Sequence, residues 1–96
     1  MTNHLKAFII EDNPELNLLF SEALNESGFI TEGICDGQEA HLRLQTSEPA
    51  LILLDLHLPH VSGADLLNQI RQDPRLKDCI VIVASADGTW TSILNE

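Results

Sequence analysis

Short apolar runs alternate with segments of helical period along the chain, and turn residues separate them. Lys6–Ile10 is the first strand-like run. Asn13-Pro14 then supplies an N-cap and a proline at the first helical position. Leu16, Leu19, Phe20, Ala23 and Leu24 follow at spacings that place them on one helical face, and Gly28 ends the helix. Phe29–Cys35 reads as a more polar strand, suited to a sheet edge. Asp36-Gly37-Gln38-Glu39 has capping-box spacing and opens a helix to about Thr46, with Ala40 and Leu44 on a shared face and Leu42 off it. Pro49 leads into Ala50–Asp55, apolar up to its last residue, as a central parallel strand should be. Pro59 to Gly63 form a loop, and a third helix carries Leu66, Leu67 and Ile70 until Asp73-Pro74 closes it. Cys79–Ala84 is a fourth, continuously apolar strand. Asp87-Gly88 marks a turn, and Thr89–Glu96 reads as the start of a fourth helix. The order β-α-β-α-β-α-β-α predicts an α/β domain, with a parallel sheet and helices on both faces.

That order gathers chemistry at one sheet edge. Asp55 closes the run Leu51-Ile52-Leu53-Leu54, and open α/β sheets place ligand sites at the carboxyl ends of their strands. An unpaired charge buried there would cost several kcal/mol, so a compensating group is expected. Phe8-Ile9-Ile10 also ends in carboxylates, Glu11 and Asp12. Three acids delivered by two strand ends read as a cation site.

Charge and composition narrow the remaining classes. The 96 residues make one small domain, 1–96, with 44% apolar and 21% charged residues, a globular balance. Fifteen acidic against five basic residues give a net charge of −10, which argues against direct nucleic-acid binding and suits a cation or a basic partner surface. No run approaches the roughly 20 apolar residues of a membrane span, and the N-terminus lacks a signal-peptide layout, so a cytoplasmic location is expected, with no membrane partner. Cys35 and Cys79 read as buried reduced thiols. His57 and His60 flank Pro59 without a matching third ligand, so they read as loop residues rather than a transition-metal pair, and His4 and His41 as exposed.

Together these residues resemble the receiver domain of bacterial response regulators, the CheY-like group with a flavodoxin-like, doubly wound parallel sheet of strand order 2-1-3-4. The acidic pair of that family falls on Glu11-Asp12 and its phospho-accepting aspartate on Asp55, within Leu-Leu-Asp-Leu-His-Leu-Pro. The loop proline and glycine fall on Pro59 and Gly63, and the switch hydroxyl on Ser85, followed by the small Ala86. The resemblance implies Mg²⁺ held by Asp12, Asp55 and the backbone carbonyl of His57, with Glu11 acting mainly through water. It implies a phosphoryl group passed to Asp55 from a sensor histidine kinase or phosphotransfer protein, and a hydroxyl of Ser85 that reads its arrival. His57 and Asp87 stand where side chains could tune the lifetime of that group. Such a domain is a signalling switch rather than an enzyme.

The resemblance also implies a fifth strand and fifth helix that lie beyond residue 96, including a lysine facing the phosphoryl group. Lys77 precedes the fourth strand and cannot replace it. A domain truncated after the start of the fourth helix would leave the fourth strand as an open edge and an apolar face uncovered, so self-association or a dimer is expected. Two other readings compete. A pseudo-receiver would use the fold for protein interaction without phosphorylation, favoured by the missing lysine and opposed by the intact acidic trio. A phosphohydrolase with an aspartate nucleophile would want a second acid two residues after Asp55, where this chain has His57.

Overall fold

The computed structural model describes residues 5–58 and 60–84, together with the backbone of 90–94. Strand β1 (Lys6–Ile10), helix α1 (Pro14–Glu26), strand β2 (Ile30–Ile34), helix α2 (Gly37–Leu44), strand β3 (Leu51–Asp55) and helix α3 (Gly63–Gln72) follow in turn. A 3₁₀ turn at Pro74–Leu76 leads to β4 (Ile80–Ala84), and β5 spans Trp90–Leu94. The sheet has the order β2-β1-β3-β4-β5, and its first four strands are parallel.

Each helix starts where a side chain can take up free backbone donors. Asn13 Oδ1 accepts from the amides of Glu15 and Leu16, Asp36 Oδ2 from Glu39, and Ser62 Oγ from Asp65. The α3 helix ends at Asp73, whose carboxylate pairs with Arg75, and Arg75 Nη2 also donates to the Leu44 carbonyl at the end of α2 at 2.8 Å. That single guanidinium ties two helix ends together.

Alternation along the strands splits the core in two. Phe8, Ile10, Ile52, Leu54, Val81 and Val83 face α2 and α3, where Ala40, Leu44, Leu66 and Ile70 are fully buried. Ala7, Ile9, Leu51 and Leu53 face the other way, against Phe20 and Leu24 of α1. Across α2 and β2, Arg43 pairs with Glu32 and lies over the Phe8 ring.

Three expectations are corrected. Residues 90–94 form a strand antiparallel to β4, with Ala84 opposite Trp90 and Ile80 opposite Leu94, rather than the start of a helix. Trp, Thr and Ile favour extended backbone, a segment this short is a poor helix nucleus, and β4 offers unpaired backbone groups that β5 satisfies. The edge of β4 is therefore covered, not open. Secondly, the apolar face of α1 is only half used: Phe20 and Leu24 pack on the sheet, while Leu16 and Leu19 are 41% and 58% exposed. The buried sector is turned towards Asn17, which hydrogen-bonds to the sheet end. Thirdly, Cys79 is buried but Cys35 is exposed, because the chain leaves the sheet there to reach the Asp36 cap. Both thiols are free, and burial pushes that of Cys79 up to about 11.

Candidate functional site

In the order β2-β1-β3, the chain crosses to one side of β1 and then returns to the other, so the connections diverge between β1 and β3. Ligand crevices form at such points, outside the carboxyl ends of the strands. Ile10 is in register with Leu54, so the next residues on the two strands, Glu11 and Asp55, emerge side by side. Asp12 follows Glu11 at once. The three carboxylates offer oxygens that all lie within 4.8 Å of one another.

The members differ in environment. Glu11 is 5% exposed, Asp55 half-buried and Asp12 exposed. Glu11 Oε2 accepts from the Asn13 amide at 3.1 Å, and Asp55 Oδ1 from the His57 amide at 2.9 Å. Burial pushes the Glu11 carboxyl up to about 7; the Asn13 amide opposes this, and the neighbouring Asp55 and Asp12 carboxylates add to it. At an effective dielectric near 20, two ionised carboxylates at such a separation repel by on the order of 3 kcal/mol. A hard divalent cation prefers an oxygen-only donor set of this kind and removes the repulsion. The residues fit a metal.

The backbone beneath the site is held close. Gly63, the first residue of α3, donates its amide to the Leu56 carbonyl at 3.3 Å. A Cβ on Gly63 would stand 2.6 Å from the Asp55 carbonyl oxygen and would also overlap Leu56 Cα, so only glycine fits there. Lys77 follows the 3₁₀ turn ahead of β4, at the end of the sheet opposite Asp55, as its place in the sequence implies. Pro59, Ser85, Ala86 and Asp87 lie outside the described residues.

Other residues depart from the sequence reading. His41 is half-buried, not exposed: its Nδ1 is 2.8 Å from Gln69 Oε1, and Gln69 Nε2 donates to the His41 carbonyl, which joins α2 to α3. His60 has a φ of 71°, and its Nδ1 lies 2.6 Å from Asp36 Oδ1, so the loop after β3 is tied to the cap of α2. That partner holds the Asp36 carboxyl below its ordinary range. Asn17 is buried beneath the acidic pair, although nothing in the hydrophobic pattern singles it out. Its only sequence signal is a polar residue among the leucines of α1.

Comparison with known proteins agrees with the geometry. Residues 7–95 match the response regulator receiver domain. The chain is 37% identical over 83 residues to the phosphate regulon transcriptional regulatory protein PhoB of Rhizobium meliloti, covering 86% of this chain and 37% of that protein. It is 38% identical over 79 residues to the polar-differentiation response regulator DivK of Brucella anthropi, covering 81% and 63%. The chain thus spans well under two thirds of PhoB and a little under two thirds of DivK. Among solved structures, the CheY-like receiver domain from Methylobacillus flagellatus superposes with a TM-score of 0.77 at 29% identity, over 86% of this chain and 70% of that one. A sensor protein from Polaromonas sp. JS666 gives 0.78 at 27% identity, over 88% and 68%. Receiver domains generally bind a divalent metal and work as signalling domains. Sheet order, acidic cluster and sequence all lead to one conclusion: the chain belongs to the response regulator receiver domain family of two-component signal transduction.

Proposed function

We propose that residues 1–96 act as one receiver domain that accepts a phosphoryl group on Asp55 in a Mg²⁺-dependent step. The observation that carries this reading is the convergence of Glu11, Asp12 and Asp55 within 4.8 Å at the point where the sheet connections diverge. Asp12, Asp55 and the His57 carbonyl would hold the cation directly, and Glu11 through water. Bound there, the cation supplies charge neutralisation for an incoming phosphoryl group.

The chain's own groups do the rest. One Asp55 oxygen attacks the phosphorus of a phosphohistidine on a sensor kinase or phosphotransfer protein. An O–P bond forms, the P–N bond breaks, and its electron pair stays on the imidazole, which then takes a proton. The His57 amide holds the Asp55 carboxylate in a fixed rotamer while this happens. Ser85 would then donate its hydroxyl to a phosphoryl oxygen and pass the change to the rest of the fold. A cytoplasmic switch is part of this reading. Among the described residues no helix is long and apolar enough to cross a membrane.

The exposed stripe on α1 favours a second, compatible role in protein interaction, with self-association as its simplest form. The phosphoacceptor reading is tested by incubating the protein with Mg²⁺ and a small phosphodonor and weighing it intact. One acid-stable, base-labile phosphoryl group on the wild type and none on Asp55→Ala is the expected result. Mg²⁺ binding without any adduct would leave only the interaction role.

A further inference from the structure

Asn17 is a polar side chain at the start of the second turn of α1, yet it is 5% exposed. A buried carboxamide is costly unless it is hydrogen-bonded. Its Nδ2 is placed to donate to three carbonyls from three segments: Ile9 on β1 at 3.0 Å, Glu11 at 3.0 Å, and Ile34 at the end of β2 at 3.1 Å. An amide has two N–H groups, so one is shared between two acceptors. The Ile34 carbonyl also accepts from the Glu11 amide at 3.0 Å. Glu11 is therefore gripped on both sides, through its own N–H and through its carbonyl.

The space for this carboxamide is made on another strand. A Cβ on Gly33 of β2 would overlap Asn17 Oδ1 and come within 3.2 Å of its Cγ. Ser21, one turn along α1, donates to the same Oδ1 at 3.4 Å. Helix, strand and loop thus meet at one side chain directly below the acidic pair.

We propose that Asn17 is a positioning residue for the acidic site. Its carboxamide fixes the backbone of Glu11, and so the separation at which Glu11 and Asp12 meet a divalent cation with Asp55; Gly33 is glycine to admit it. This rests on the metal-site reading above and adds a residue to it. Groups that orient metal ligands from outside typically change affinity by 10–100-fold when removed.

The test is a Mg²⁺ titration by calorimetry of the wild type, Asn17→Ala, Gly33→Ala and the double variant, with urea unfolding of each. Both single variants should bind Mg²⁺ about tenfold more weakly. The double variant should be no weaker than Asn17→Ala alone, because the side chain that collides with the new Cβ has gone. Ile70→Val, a core change remote from the site, should lower stability and leave Mg²⁺ affinity unchanged, which separates positioning from general loosening. Single variants that fold and bind Mg²⁺ like the wild type would overturn the inference alone, as would two losses that simply add. A wild type that binds no Mg²⁺ would overturn the metal-site reading as well.

Discussion

At Glu11 the fold sets burial against charge, and pH decides which form is present. Burial pushes the folded carboxyl up to about 7, against 4.5 ordinarily, so between those values the folded state holds a proton that the unfolded chain has released. Stability from this group is complete below pH 4.5 and is lost as pH rises through 7. Urea unfolding without Mg²⁺ should therefore show stability falling across that window in the wild type, relative to Glu11→Gln. Mg²⁺ binding should expel this proton, so affinity should rise with pH up to about 7, and calorimetry in buffers of different ionisation enthalpy would show proton release. Equal pH profiles for wild type and Glu11→Gln would mean that burial does not hold a proton on this carboxyl. Gly63→Ala is a second test at this scale. The added methyl pushes on the Asp55–Leu56 backbone, and a loss of about 1–3 kcal/mol is expected in the same unfolding assay.

Among the elements, β1, α1, α2, β3, α3 and β4 were legible because local chemistry and the hydrophobic pattern agree. Asn13, Asp36 and Ser62 cap their helices, and Leu51–Leu54 is buried along its whole length. Leu66 and Ile70 have no exposure, so Ile70→Ala should cost about 2–5 kcal/mol, measured by urea unfolding. The acidic trio was legible too, since carboxylates ending apolar runs must meet once the strands are parallel neighbours. What could not be read depends on partners distant in sequence. Trp90–Leu94 is too short for its own pattern to decide, and pairing with β4 settles it as a strand. Asn17 looks like an ordinary polar helix position until three carbonyls are seen around it. Its burial also turns α1 on the sheet, which is why Leu16 and Leu19 emerge from a face that the pattern assigns to the core.

For the whole molecule, this exposed stripe and a net charge of −10 act in opposite directions. Apolar area favours self-association, at about 25 cal/mol per Å² buried, while like charges oppose it through a screened interaction. Association should therefore strengthen with salt, and Leu19→Glu should weaken it. Sedimentation velocity at low and high salt checks both, and a wild type that stays monomeric throughout would remove the stripe's proposed role.

At the heart of the proposed function, Asp55 accepts a phosphoryl group with the help of a cation that it shares with Asp12 and, through water, with Glu11. The most direct measurement is chemical trapping: treat the protein with a small phosphodonor, reduce any acyl phosphate with borohydride, and map the product by peptide mass spectrometry. Homoserine at position 55 is expected when Mg²⁺ is present, and an unmodified aspartate when it is chelated. A reduced residue elsewhere, or labelling of Asp55 that is indifferent to Mg²⁺, would contradict it.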